Sequence, residues 1–326
     1  RYDFENNKML ICGVGAVAAD CGVSVSNKLF APRIGVAYRA TDTFVLRAGY
    51  GITYDALNLA RNLRSNYPII LVQNLTGVNS YQPAGSLQTG IPLMQPVDFG
   101  NGIIDVPENY AVVSLGDKFE RGYVQSWNFT LQKKLAGGFT AQAGYVATRQ
   151  VRTMGHMDLN VGRVGGGNAS RPFNRAFGRS TSTILIAPIG TTKYNSLQTT
   201  LERRFSGGFQ LQASYTWSKT NGICCADVGT GSPLIMIPEY YDLNRAVLSW
   251  DRPHSFSLTG FAELPFGQGR RWLTGGVASK LFSGWQVNGM FIAYSGPPFT
   301  VTSSGTSLDA PGNTQRADLV KPEVKK

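Results

Sequence analysis

The chain of 326 residues is 42% hydrophobic and only 16% charged, and it is rich in Gly (38), Tyr (14) and Phe (17). That balance argues against a helical bundle or a disordered chain and points to β-structure. No run approaches the ~18 apolar residues of a membrane-spanning helix, a criterion that leaves a membrane barrel open. The net charge of +11 is dispersed: tight cationic groups such as Arg203-Arg204, Arg270-Arg271 and Lys325-Lys326 are no more than pairs. None forms a stripe with stacking aromatics, so no nucleic-acid partner is expected.

The first residues, Arg1 to Glu5, lack the charged and apolar regions of a signal peptide, so the chain is expected to be mature or to begin inside a longer polypeptide. Cys12 and Cys21 are placed to close a small loop by a disulfide in an oxidising compartment, or to stay as two thiols. The GxGxxA pattern from Gly13 to Ala18 mimics a dinucleotide-binding turn. However, no adequate helix follows it, and Ala37, Tyr38 and Arg39 stand where a ribose-binding acid would be needed. A glycine-rich loop is the better reading.

Alternation at period two then begins. Ile34, Val36 and Tyr38 lead through a turn at Ala40 to Thr43 into Phe44, Leu46, Ala48, Tyr50, Ile52 and Tyr54, with Arg47, Gly49 and Gly51 opposite. A long link over about 55–121 follows, in which Ala56 to Arg64 predicts one or two helical turns ended by Tyr67-Pro68. The pattern is clearest from Tyr123 to Leu135, where Tyr123, Gln125, Trp127, Phe129 and Leu131 share one face. After Ala136-Gly137-Gly138 it returns with Phe139, Ala141, Ala143, Tyr145 and Ala147. A second long link is expected over about 152–190. Leu197, Leu201 and Phe205 then oppose Gln198, Thr200, Glu202 and Arg204, and Ser206-Gly207-Gly208 turns into Phe209, Leu211, Ala213, Tyr215 and Trp217. A third link, about 220–246, holds Cys224 and Cys225, whose state the sequence leaves open. The last hairpin takes Phe256, Leu258, Gly260, Ala262 and Leu264 through Pro265 to Gly269 and returns from Trp285 to Tyr294. The tail after Val301 shows no closing strand.

Eight strands in four hairpins, three of the four closed by turns of a few residues and the last by a longer link, with long links between hairpins, predict an all-β, antiparallel transmembrane β-barrel. Strands of ten or more residues suit the ~25 Å apolar band of such a barrel better than the ~5 to 6 usual in soluble sheets. Trp127, Trp217 and Trp285 lie toward strand ends on the apolar face, where an interfacial girdle belongs. The opposite face then lines a wet lumen, and Arg33, Arg47, Gln198, Glu202 and Arg204 are the candidate solute contacts. Four cysteines and two histidines, His156 and His254, fit no zinc or thioredoxin spacing, and no nucleophile elbow, Walker A or HExxH occurs. Neither metal nor cofactor is expected, nor enzymatic activity. Asp251, Arg252 and His254 are read as structural residues at a strand start.

Ordered segments across residues 30–301 carry a resemblance. Phe30 to Tyr38, Arg47 to Asp55, Tyr123 to Asn128, Tyr194 to Gln198, Glu202 to Ser206, Ser214 to Lys219, Trp250 to Phe256, Glu263 to Gly267, Gly284 to Gly289 and Ser295 to Val301 resemble, in order, the barrel of TonB-dependent, Oar-like outer-membrane proteins of the Acidobacteria type. The resemblance implies a receptor or transporter with a 22-stranded barrel, an internal plug and an energy-coupling partner. The chain departs from it in lacking a recognisable plug, coupling box or aromatic-ended final strand, so a single incomplete barrel region over 1–326 is expected. The function so implied is uptake of a bulky, unidentified solute across the bacterial outer membrane, among outer-membrane lipid and lipopolysaccharide. A surface adhesion or assembly protein, or a secreted soluble β-sandwich, are the alternatives.

Overall fold

The computed structural model describes residues 1–54, 67–71, 77, 79, 81–86, 88–91, 93–108, 110–223, 235–303, 307–318 and 320. The expected helical turns at Ala56 to Arg64 and the Cys224-Cys225 pair lie outside them.

One sheet dominates. Its eight long strands are β1 (Arg33–Thr41), β2 (Phe44–Tyr54), β3 (Tyr123–Lys134), β4 (Phe139–Asp158), β5 (Thr183–Ser206), β6 (Phe209–Ile223), β7 (His254–Glu263) and β8 (Gln286–Tyr294). Each pairs antiparallel with its neighbours in sequence, giving the spatial order β1 to β8 without a crossover. Short strands join only at the long-link end: Val112–Leu115 runs parallel to β5, and Ala246–Val247 pairs with β6. Strands β1 and β8 are the two edges and do not pair with each other.

Continuous register through the middle of the sheet converts alternation in each strand into two continuous faces. Trp127 pairs with Tyr50 and Ala147, Phe129 with Ala48 and Tyr145, and Leu131 with Leu46 and Ala143. Tyr145 then meets Leu197, Leu197 meets Trp217, and Trp217 meets His254. This face is predominantly apolar from edge to edge, and no described residue packs over its centre: Phe129, Leu197, Trp217 and Phe291 are all exposed, Trp217 by 58%. An apolar surface of this breadth far exceeds what a protein shows to water, and it is built for lipid.

The short turns hold their end together through backbone geometry and one arginine. Gly207 and Gly208 both take positive φ, +61° and +88°, as a two-residue hairpin between Ser206 and Phe209 requires. Arg203 lies 3.6 Å over the Phe209 ring and 5.6 Å over that of Phe139, and its Nε donates to Gly137 O at 2.8 Å, tying this turn to the one before β4.

The strands run further toward the long links than the alternation suggests. The expected link over 152–190 contracts to 159–182, because β4 continues to Asp158 and β5 begins at Thr183. The register shifts between Val151 and Gly155, where Arg152 takes φ +58°. A bulge there interrupts the period and turns Met154 into a buried position, which hides the upper strand from a search for strict alternation. The link expected over 220–246 likewise starts later, since β6 runs to Ile223.

The buried core lies above the sheet's apolar band, among the links. Tyr2, Met9, Tyr67, Val106, Val112 and Phe173 form one cluster, and Phe119, Met154 and Ile186 a second. Tyr2–Asp3, Lys8–Leu10 and Ile103–Asp105 make a small sheet, and helix α1 (Pro172–Phe177) delivers Phe173 to it. The link from β7 to β8 carries a further helix, α2 (Gly276–Phe282).

The division of faces gives a direct test. Leu197→Arg places a cation in the middle of the apolar band and should lower unfolding stability in lipid by roughly 2 to 4 kcal/mol. Gln198→Arg, one residue along and on the polar face, should change it by less than about 0.5 kcal/mol. Equilibrium urea unfolding of both variants in bilayers checks the pair.

Candidate functional site at the polar face and its mouth

All five residues selected from the sequence as solute contacts fall on the polar face, but they do not converge. Arg33 sits at the long-link end of edge strand β1, exposed. Arg47 is mid-sheet, where its guanidinium donates to Gln132 Oε1. Gln198 lies in the same cross-strand row as Arg47, reached through Thr130 and Gly144, and its Nε2 donates to Ser196 Oγ at 3.2 Å. Three strand spacings separate the two, about 14 Å. Glu202 and Arg204 lie near the short-turn end and line a hollow of about 570 Å³ with Gln210, Gln212 and Asn288. The face is therefore a polar wall with separated charges.

A second concavity stands at the other end, beneath the links. It has a volume of about 520 Å³, and its wall is made by Thr148, Thr192, Thr216, Ser218, Trp250 and Arg252 among others. Hydroxyls from four adjacent strands, one indole and one guanidinium thus face a common space. Such a wall offers donors and acceptors around a flat apolar surface, the mixture that orients a polar solute while excluding water from one side.

The residues read as structural from the sequence build this mouth. Asp251 is buried, and its carboxylate accepts the Thr220 amide at 2.5 Å, while Leu248 N donates to Thr220 O at 3.1 Å. These bonds seat the returning chain on the end of β6. Ser218 Oγ then donates to Arg252 O at 3.0 Å. The Arg252 guanidinium donates to Ser295 O at 3.0 Å and lies 4.6 Å from the Tyr294 ring, so it reaches from β6 to β8. His254 faces the apolar side instead, with Nδ1 2.8 Å from Tyr215 Oη and its ring stacked on that tyrosine. Arg252 thus has a place in the concavity that the sequence reading did not give it. Trp250 was missed, although its position beside Asp251 and Arg252 is the signal.

Above the mouth, polar residues clamp the links into a folded assembly. Asn160 is fully buried: Nδ2 donates to Arg179 O at 2.9 Å and Thr181 O at 2.7 Å, and Oδ1 accepts the Phe173 amide at 2.9 Å. Arg171 donates to Asn160 O at 2.6 Å. Asp158 accepts both the Asn160 and the Thr183 amide at 2.9 Å, closing the base of the 159–182 link. Arg179, also fully buried, donates to Pro107 O at 3.0 Å and Tyr110 O at 2.6 Å and lies 5.8 Å from the Tyr2 ring. Burial lowers the Arg179 pKa and raises that of the Tyr2 phenol, the latter partly offset by the guanidinium beside it. Cys12 and Cys21 are joined by a disulfide. Among the described residues no group of three or more His, Cys, Asp or Glu could hold a metal ion.

A sequence-family description, outer membrane beta barrel domain, matches residues 1–326. No curated protein sequence is significantly similar to this one. Among solved structures, similarity is found to the outer-membrane transporter YddB of Escherichia coli (12% identity, TM-score 0.41, 78% of this chain and 32% of that one). It is also found to the alcaligin outer-membrane receptor FauA of Bordetella pertussis (14%, 0.37, 82% and 29%). A third is FpvA of P. aeruginosa bound to pyoverdines (14%, 0.39, 83% and 23%). The chain spans less than a third of the length of each.

Asn160 carries the link assembly, so Asn160→Ala should leave the Phe173 amide and two carbonyls without partners and cost about 3 kcal/mol locally. Limited proteolysis should then cut within 159–182 while the eight-stranded sheet stays intact. Equal protection of the variant and the parent would show that the clamp is dispensable.

Proposed function

Because the chain belongs to the outer membrane β-barrel domain family and resides in the bacterial outer membrane, we propose that it is an arc of the barrel of a TonB-dependent, Oar-like receptor that takes up a bulky solute. The observation that carries this reading is the open sheet. Eight strands suffice to close a small barrel, yet β1 and β8 remain separate edges. Unpaired strand edges are not stable in hydrocarbon, so further strands complete the wall, and a barrel of the 22-stranded type has a lumen that holds a plug.

In this reading the long links face outside and the short turns face the periplasm. Solute meets the folded links first, then the hydroxyl-lined concavity at Trp250 and Arg252, and then the separated charges at Arg47, Glu202 and Arg204. Each is a weak contact, which suits passage better than capture. The plug and its coupling to a TonB-type complex would reside in parts of the receptor beyond this sheet. No catalytic step is assigned to the chain. The folded links also suit the second reading, adhesion or assembly at the cell surface. The exposed apolar face, against which no second sheet packs among the described residues, disfavours a soluble sandwich.

Two measurements test the proposal together. An antibody to the 235–253 segment should detect, in outer-membrane fractions, a polypeptide far heavier than 35.3 kDa. A strain lacking the gene should lose energy-dependent uptake of one nutrient, and collapse of the proton gradient in the parent strain should reproduce that loss. A species of 35 kDa, with loss of cell contact and unchanged uptake, would favour adhesion.

A further inference from the structure

The outward face carries a feature that solute uptake does not use. One row above the girdle, Arg149 of β4 pairs directly with Lys193 of β5. Lys219 of β6 pairs with Asn195, two residues from Lys193, and so lies diagonal to it. All three are exposed, and among the described residues none has an ion-pair partner. Glu120, in the segment that leads into β3, is already held by Lys118 at 2.5 Å and Arg152 at 3.1 Å.

Like charges placed directly opposite on a sheet repel, with Cβ atoms only ~5 Å apart. The arrangement therefore calls for an anion. Its height identifies which one. The row directly below Arg149 and Lys193 holds Trp127 and Ala147 together with Lys219, and the next row down holds Phe129, Tyr145, Leu197 and Trp217. The cations thus stand within ~7 Å, two residues of rise, of the aromatic and aliphatic surface, at the depth where lipid headgroups meet the acyl region.

We propose that Arg149, Lys193 and Lys219 form a binding site for the phosphate groups of the glycolipid in the outer leaflet. Asn195, whose Oδ1 accepts the Tyr145 hydroxyl at 2.7 Å, keeps its amide N–H groups for the same headgroup. The site rests on the outward orientation of the long links and is independent of which solute is carried.

The test uses the protein purified from its own outer membranes in detergent and titrated with bisphosphorylated lipid A, with the dephosphorylated lipid and with inorganic phosphate. The parent should prefer lipid A over the dephosphorylated form by roughly a hundredfold, as three cations near an anionic surface would give, and millimolar inorganic phosphate should not displace it. R149Q/K193Q/K219Q should lose that preference, R149K/K193R/K219R should retain it, and K133Q, at the short-turn end of the same face, should leave it unchanged. Equal lipid A binding by the neutral triple variant, or full displacement by inorganic phosphate, would overturn the site. Antibody to the 12–21 loop should reach intact cells. If it does not, the orientation falls and the site with it, whereas loss of the lipid preference alone leaves the orientation standing.

Discussion

In hydrocarbon no water is present to satisfy a peptide group, so every N–H and C=O of a spanning strand must find its partner on a neighbouring strand. The order of the sheet follows from that requirement. Strands joined by two- to four-residue turns pair with the next in sequence because nothing closer is available, and a slip of one residue would turn the whole apolar set inward. The ladder from Phe139 to Val151 against Thr191 to Arg203 runs without a break for this reason. Only beyond Val151, where the strands leave the apolar band, does a bulge appear.

The same constraint explains where the buried core is found. Within the band, lipid replaces a second protein layer, and residues such as Leu197 and Phe129 need no protein partner. Above it, water returns, and the links must bury their own apolar groups to stay folded. Tyr2, Val112 and Phe173 do so together, and Asn160 and Arg179 satisfy carbonyls and amides that the irregular backbone cannot pair. The molecule joins two solvents in one chain, and β4 and β5 pass through both.

This division also accounts for what could be read from the sequence. The strands within the band obey a period of two and were legible, including which residues share a face, since Arg33, Arg47, Gln198, Glu202 and Arg204 all fall on the polar side. Parity gives the face but not proximity, and so it could not show that Arg47 and Gln198 stand three strands apart. The upper parts of β4 and β5 were not legible because the bulge at Arg152 reverses parity. Asn160 and Arg179 carry no pattern at all: each is one polar residue in a long link, Asn160 bonded to groups the link itself brings back to it and Arg179 to the distant Pro107 and Tyr110 carbonyls. The concavity at Trp250 and Arg252 was half visible, as a motif whose bonds to Thr220 and Ser295 only the folded chain reveals.

The outward cations fix the height of the sheet in the membrane. On β5, Lys193 and Arg203 are ten residues apart on the same face, with Asn195, Leu197, Thr199 and Leu201 between them. Ten residues rising ~3.4 Å each, tilted ~45°, span about 24 Å along the membrane normal, close to the ~25 Å height of an outer-membrane apolar band. On β4 the corresponding outward residues between Phe139 and Arg149 are Ala141, Ala143, Tyr145 and Ala147, and no charge interrupts them. At the lower end Arg203 satisfies itself on the Phe139 and Phe209 rings and on turn carbonyls. At the upper end Arg149, Lys193 and Lys219 have no such partners among the described residues. The two ends of one strand thus solve the same problem differently: the lower boundary is sealed by protein, and the upper is left for the membrane to complete.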